Sequence, residues 1–310
     1  MTDLIRFLTE WIAVQAVPRL AEERGLPFDL PRENMLYGLR LEELIRILRE
    51  YDRYARTLVE EHGVSWWDFY AYSDVGKERL ALVEEFRVED GDVVLDVGCG
   101  KGYLTIALAQ DCNRVCGLDL MNGFGRRGWW SDFQAEMAAL NLSRKVMGVR
   151  ACASGVPFKD ASFNLTVSAH ALRNFNNRNT IVEALREMRR VTRRGGRVII
   201  AENIPRANTK AQAAHLKMFE VRTKYVKGDN PLLTEAELLQ MFGKAGMSPS
   251  RTEIIDFGLS AAPPIWVPNP ASIPEERRAE AIEGYTEAVD MVRECGESSP
   301  PVLLFEARVD

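Results

Sequence analysis

Over residues 1–88 the apolar positions recur at three- and four-residue intervals. Leu4, Leu8, Trp11 and Ile12 form one stripe, and Leu39, Leu41, Leu44, Ile45, Ile47 and Leu48 form a stronger one. That is the period of amphipathic helices, and it predicts an all-α cap. Pro18 is expected to kink or end the first helix, and the stretch from Pro27 to Pro31 to act as a connector. An aromatic run at 65–72, Ser-Trp-Trp-Asp-Phe-Tyr-Ala-Tyr, precedes a helix predicted over about 75–86. The run reads equally well as core at a domain junction and as the wall of a pocket.

From Asp92 the pattern changes to short apolar runs alternating with helical stretches, which implies an α/β domain built on a mostly parallel sheet. Strands are predicted at 92–97, 114–118, 146–151, 163–168, 197–202, 251–257 and 302–309. Helices are predicted at about 102–110, 130–141, 178–192 and 234–245. The Gly195-Gly196 pair is expected to end the helix at 178–192. Two stretches exceed a minimal doubly wound domain. Residues 205–230 contain a further helix (211–226), and 258–301 form a Pro-rich loop followed by a helix from about Pro274 to Glu294. Both are candidates for a lid, a pocket roof or a homodimer contact. The expected organisation is a cap at 1–88 and a main domain at 89–310.

Composition adds only exclusions. The 310 residues are 46% hydrophobic and 27% charged, with a net charge of -5 at pH 7, so the chain is globular and lacks the basic footprint of a nucleic-acid binder. Five cysteines without a CxxC pair or a Cys/His cluster point to a reducing, cytoplasmic setting and to no metal site. The stretch from Leu4 to Val17 carries Arg6 and Glu10 and reads as an amphipathic helix; no segment is long and apolar enough to span a bilayer.

The chemistry concentrates where the first strand, Val93-Val94-Leu95-Asp96, opens into Val97-Gly98-Cys99-Gly100-Lys101-Gly102. Glycines there let the backbone turn sharply and approach a ligand closely. A dinucleotide fingerprint needs Gly or Ala at position 103, which holds Tyr103. A P-loop needs Ser or Thr after Gly-Lys, and Gly102 follows Lys101. What remains is a nucleotide turn without a phosphate nest. Asp119 ends the second strand, nineteen residues beyond Gly100, where a carboxylate can accept both hydroxyl hydrogen bonds of a ribose.

An acidic residue two positions before Gly-x-Gly-x-Gly resembles the pattern of class I S-adenosylmethionine-dependent methyltransferases. The similarity narrows with Gly155-Val-Pro-Phe-Lys-Asp-Ala-Ser-Phe-Asn164, Ala171-Leu172-Arg173-Asn174-Phe175, Arg186-Glu187-Met188-Arg-Arg-Val191 and Gly195-Gly196-Arg197-Val-Ile-Ile-Ala-Glu202. Over about 90–205 these resemble the ubiquinone/menaquinone biosynthesis C-methyltransferases (UbiE type), the Leu-Arg-Asn tripeptide being the family-flavoured piece. The resemblance implies a seven-stranded Rossmann-like methyltransferase sheet with an antiparallel last strand, and S-adenosyl-L-methionine as cofactor. It would be held by Asp96, Gly98, Cys99, Gly100, Gly102, Asp119, Leu120, Cys152, Ala153 and Ser168. Cys152 stands where the family usually has Asp or Asn against the adenine amino group, and Asn164 replaces a usual Asp. The cap, the loop around Gly123 to Trp130 and the insertion after 258 are further departures.

Methyl transfer from a sulfonium is an in-line displacement, so the protein must align a nucleophile and exclude water. A phenol or quinol acceptor must also lose a proton. His170, just after the fourth strand, is the candidate base or else a structural histidine, while His215 lies in the candidate lid. The family match places Arg173 and Asn174 at its Arg-Asn site. There Arg173 would steady a developing enolate or phenolate, or else pair with Glu202. Tyr72 is a candidate pocket hydroxyl. The loop Gly125-Arg126-Arg127-Gly128-Trp129-Trp130 is a candidate clamp. The expected substrate is a small, largely apolar or aromatic molecule, quinone- or isoprenoid-like, methylated at carbon or oxygen. The rival readings are a non-catalytic subunit of the same fold, motivated by Cys152 and Asn164, and a protein methyltransferase docking through the cap.

Overall fold

The computed structural model describes residues 11–121, 129–175, 177–225 and 230–310. Its contacts divide the chain into two compact units: residues 1–78, 206–231 and 257–300, and residues 79–205, 232–256 and 301–310. The segments at 206–231 and 257–300 thus fold with the N-terminal helices.

The second unit is a seven-stranded sheet. Its strands are β1 (Val93–Val97), β2 (Arg114–Asp119), β3 (Val146–Arg150), β4 (Phe163–Ala169), β5 (Thr192–Asn203), β6 (Arg251–Ile255) and β7 (Val302–Arg308), in spatial order β3-β2-β1-β4-β5-β7-β6. The pairs from β3 to β5 are parallel, and β7 runs antiparallel to both β5 and β6. Leu95, Val97, Leu165 and Val167 are completely buried, as strands covered on both faces require. The sheet order reverses between β1 and β4, the place where open α/β sheets bind ligands at the carboxyl ends of their strands.

One predicted boundary is corrected. The helix Arg178–Val191 stops four residues before Gly195, and β5 begins at Thr192. The glycine pair ends no helix. It serves a register shift in the β4–β5 ladder, between Phe163 paired with Thr192 and Leu165 paired with Arg197. A side chain at Gly196 would meet the Asn164 carbonyl at 2.6 Å. Gly195 N–H donates to Val309, and Gly196 accepts from Val309 N–H, so the irregular start is held by β7's extension instead.

The first unit contains α1 (Ile12–Glu23), α2 (Leu41–His62), α3 (Trp66–Tyr72) and the start of α4 (Asp74–Phe86). The elements α5 (Tyr103–Asp111), α6 (Trp129–Ala139) and α7 (Arg178–Val191) belong to the sheet unit; α8 (Lys210–Tyr225) returns to the helical one, α9 (Glu235–Lys244) to the sheet, and α10 (Arg278–Cys295) to the helical one. Pro18 lies inside α1 and does not end it. Interior proline costs about 3 kcal/mol. Here Ile12 to Val17, Pro18 and Leu20 are all buried, which offsets that loss.

A polar knot explains why distant segments join this unit. Gln15 Nε2 donates to Glu33 Oε1 (3.1 Å) and to the Ser260 carbonyl (2.6 Å), while its Oε1 accepts from Asp74 N–H (3.0 Å). Ser260 Oγ contacts both Glu33 and Glu297, and Glu297 also holds His215 Nδ1. His215, the lid candidate, is therefore tied into the helical unit. The single Ser260 hydroxyl proton can serve only one of the two carboxylates, which favours the neutral form of the other. Burial, and next the charge of Glu297, push Glu33 up to about 8.

The folded state therefore favours neutral Glu33. That stability is full below the ordinary carboxylate value of 4.5 and is lost as pH rises through about 8. Glu33→Gln, permanently neutral, is expected to melt several degrees above wild type at pH 8.5 and near it at pH 4.5. A pH-independent difference in thermal scans would contradict the neutral Glu33.

Candidate cofactor site and active centre

The turn after β1 is built first by its own backbone. Gly98 and Cys99 N–H both donate to the Leu118 carbonyl (2.7 and 3.1 Å), and Gly102 N–H donates to Cys99 (2.8 Å). Gly98, Gly100 and Gly102 have φ of 77°, 55° and 95°, a region that costs other residues about 1–2 kcal/mol each. At Gly98 the space is also taken: a Cβ there would lie 2.4 Å from Ala171 Cβ. Gly102 caps α5, whose Thr105 hydroxyl donates to Asp96 Oδ2 at 2.6 Å. Asp96 is 1% exposed, and its burial pushes it up to about 7 against the opposing Thr105 bond. Asp96 thus orders the turn from behind.

Asp119 closes the turn from the other side. Its Oδ2 accepts from Gly100 N–H (3.0 Å) and its Oδ1 from Met121 N–H (2.7 Å). Each carboxylate oxygen keeps a lone pair for a ribose hydroxyl. Leu120, beside it, is 42% exposed, a large apolar surface at the mouth of a polar turn. Cys99 joins the turn through its backbone and through its buried thiol, which lies against Gly117 and donates to the Gly100 carbonyl at 3.8 Å. Lys101 pairs with Asp132 at 3.4 Å, both nearly buried, so it offers no phosphate contact.

After β3, Ala151 N–H donates to the Asp119 carbonyl (3.2 Å), which brings this loop beside Asp119. Cys152 is exposed with Sγ 3.1 Å from Ser154 Oγ, and Ala153 packs into the sheet core. Ser168 near the end of β4 is completely buried, and its hydroxyl makes no hydrogen bond among the described residues.

The chain leaves β4 through His170, whose φ is 54° and whose N–H donates to Ala201 at 2.9 Å. Residues Leu172–Asn174 then form one 3-10 turn, with Asn174 Nδ2 3.5 Å from the His170 carbonyl. The Arg173–Asn174 pair is thereby presented at the carboxyl edge of the sheet. Burial, then the charge of Arg79, push His170 down to about 3 against the attraction of Glu202. The imidazole is neutral at physiological pH and a weak base.

Two residues of this neighbourhood carried weak signals. Arg79, 8% exposed on α4, acts on both Asp96 and His170. Its signal was position: with Val75, Leu82, Val83 and Phe86 it falls on the buried stripe, where a charge needs a reason. Glu202, read as a partner for Arg173, accepts N–H bonds from Ala171 (2.7 Å) and Leu172 (2.8 Å). Tyr72 belongs to the helical unit, where Glu23 engages its hydroxyl and Arg19 donates to its carbonyl at 2.7 Å. The loop at 125–128 and the Trp129 side chain lie outside the described residues.

Sheet order, glycine turn and the Asp96–Asp119 pair together define the class I S-adenosylmethionine-dependent methyltransferase fold. Residues 95–200 match the family described as "Methyltransferase domain". Among solved structures with this fold are a cyclopropane-fatty-acyl-phospholipid synthase-like protein from Lactobacillus casei and the YcgJ protein from Bacillus subtilis. The first has a TM-score of 0.58 at 19% identity, covering 78% of this chain and 92% of that one. The second has 0.52 at 16%, covering 75% and 98%. The cyclase SpnF matches with a TM-score of 0.51 at 15% identity over 96% of this chain and 94% of its own.

In sequence, the chain is 34% identical over 127 residues to the demethylmenaquinone methyltransferase of Mycobacterium marinum, covering 40% of this chain and 47% of that protein. The enzyme of that name from Mycobacterium tuberculosis H37Rv is 33% identical over the same length, with coverage of 40% and 46%. The chain thus spans about half the length of the curated relatives it matches.

Proposed function

We propose that this protein transfers a methyl group from S-adenosyl-L-methionine to carbon or oxygen of a small, largely apolar or aromatic acceptor of quinone-like character. The observation that carries the cofactor half is Asp119, whose two oxygens are fixed by Gly100 and Met121 N–H and each have a further lone pair with which to accept a hydroxyl. The residues present fit the cofactor. The glycine turn leaves a cradle free of side chains, Leu120 offers an apolar plate, and Ala151 to Ala153 supply backbone beside it. Cys152 is a weak acceptor, so adenine selection there falls to backbone and packing. When bound, the sulfonium supplies an electrophilic methyl carbon.

The chain's own residues align and neutralise. The turn at Leu172–Asn174 presents Arg173, a fixed cation suited to steadying an enolate or phenolate as it forms. His170, held neutral, orients an acceptor hydroxyl by hydrogen bonding and takes its proton only weakly. The acceptor class is supported by the family resemblance and by the names of the mycobacterial relatives. Among the described residues no helix is long and apolar enough to cross a membrane.

Calorimetric titration tests the cofactor half. Wild type is expected to bind S-adenosylmethionine at micromolar concentration, and Asp119→Ala to weaken that binding at least tenfold, about 1.4 kcal/mol. Equal affinity in the variant would remove the ribose role. The acceptor half is tested by transfer of a tritiated methyl group onto demethylmenaquinol. Label recovered only in macromolecules would move the acceptor to protein, and no label at all would indicate a binding subunit.

A further inference from the structure

The last residues of β5 do more than finish a strand. His170 N–H continues the β4–β5 ladder to Ala201, and the next two N–H groups, of Ala171 and Leu172, both end on Oε1 of Glu202. Glu202 is 2% exposed and Ala171 7% exposed, so water cannot substitute for these bonds. The carboxylate therefore terminates the sheet and starts the Leu172–Asn174 turn in one step. Ala171 in turn fills the space that a side chain at Gly98 would occupy, its Cβ 2.4 Å from that position. The ring of Phe175 closes the same spot at 4.0 Å.

We infer that Glu202 is a positioning residue that couples the two halves of the site, fixing the Arg173–Asn174 turn directly and the glycine turn through the Ala171–Gly98 contact. This inference rests on the methyltransferase reading. Burial pushes the Glu202 carboxyl up, and its two N–H bonds and the nearby charge of Arg173 oppose that shift. A side chain of this length is required. Aspartate, one methylene or about 1.5 Å shorter, cannot reach both N–H groups from the β5 backbone, whereas glutamine keeps the accepting oxygen and loses the charge.

The full chain is compared with Glu202→Gln, Glu202→Asp and Glu202→Ala in three measurements. Hydrogen–deuterium exchange reads the amides of Ala171 and Leu172. Calorimetry gives the S-adenosylmethionine Kd. Tritiated-methyl transfer to demethylmenaquinol gives kcat and the cofactor KM. Glu202→Ala is expected to speed exchange at both amides at least tenfold and to raise Kd at least tenfold. Glu202→Asp is expected to lose protection at one of the two amides. Glu202→Gln, which keeps the accepting oxygen at the same length, is expected to restore exchange, Kd and kcat to within threefold of wild type, a rescue that Glu202→Asp does not give.

Wild-type exchange and Kd in a folded Glu202→Ala chain would overturn the inference. If that variant exchanges throughout the sheet, the Gln and Asp variants decide: identical behaviour of the two overturns it. A wild-type chain that protects both amides yet binds no S-adenosylmethionine would instead overturn the methyltransferase reading and the functional role with it, so the two failures look different.

Discussion

Gly98→Ala is expected to raise the Kd for S-adenosylmethionine at least thirtyfold, about 2 kcal/mol. Two separate costs converge on that methyl group. The backbone at φ 77° is one that L-residues adopt at about 1–2 kcal/mol. The new Cβ would also sit 2.4 Å from Ala171 Cβ, where carbon atoms at rest keep about 3.5–4.0 Å. Relief must come from moving either the glycine turn or the turn after β4, and both belong to the site. Adding Ala171→Gly should recover part of the affinity, since it removes the overlap and leaves the backbone cost. Calorimetry on the single and double variants checks this, and a single variant that binds like wild type would show the interlock to be absent.

The second large effect concerns stability. Phe305 on β7 and Phe242 on α9 stack with ring centroids 3.7 Å apart, and they are 0% and 1% exposed. β7 pairs with both β5 and β6, so the ring anchors three strands and a helix. Phe305→Ala is expected to cost about 3–5 kcal/mol and to lower the thermal midpoint of the sheet unit by about 10 °C. Phe305→Leu, which keeps most of the volume, should cost less than half of that. Far-ultraviolet circular dichroism during heating measures both, and a loss below 1 kcal/mol for the alanine variant would mean that the core repacks around the gap.

Much of the sheet was legible because its strands are apolar runs bounded by glycine or charge. Val93-Val94-Leu95 and Val302 to Phe305 allow few other structures. Two local signals misled, and both were single residues outweighed by their surroundings. Pro18 reads as a place where the helix kinks or ends, yet it does not end there, since burial on nearly every side of α1 holds it in the helix. Gly195-Gly196 reads as a helix stop, yet the helix had already ended, and the pair relieves a register shift against Asn164.

The proposed site shows the same division. That Asp96, the glycines and Asp119 meet at one turn was readable because they are consecutive or lie near the ends of adjacent strands, so spacing along the chain stands in for distance in space. Arg79 and Glu202 act on residues 91 and 31 or fewer positions away respectively, and no local pattern announces such contacts. The position of His170 just after β4 was legible, while its protonation state was not. A sequence shows an imidazole; only its neighbours, Arg79 and Glu202 among them, push it down to about 3.

The order of residues alone therefore determined the alternation of strand and helix, the backbone turn that needs glycine, and the carboxylates placed to serve it, because each depends on interactions within a few positions. The tertiary structure decided which segments share a unit, which buried groups shift in pKa, and which side chain joins one loop to another. Those outcomes depend on burial and on contacts between residues far apart in the chain, and neither quantity exists before the chain is folded.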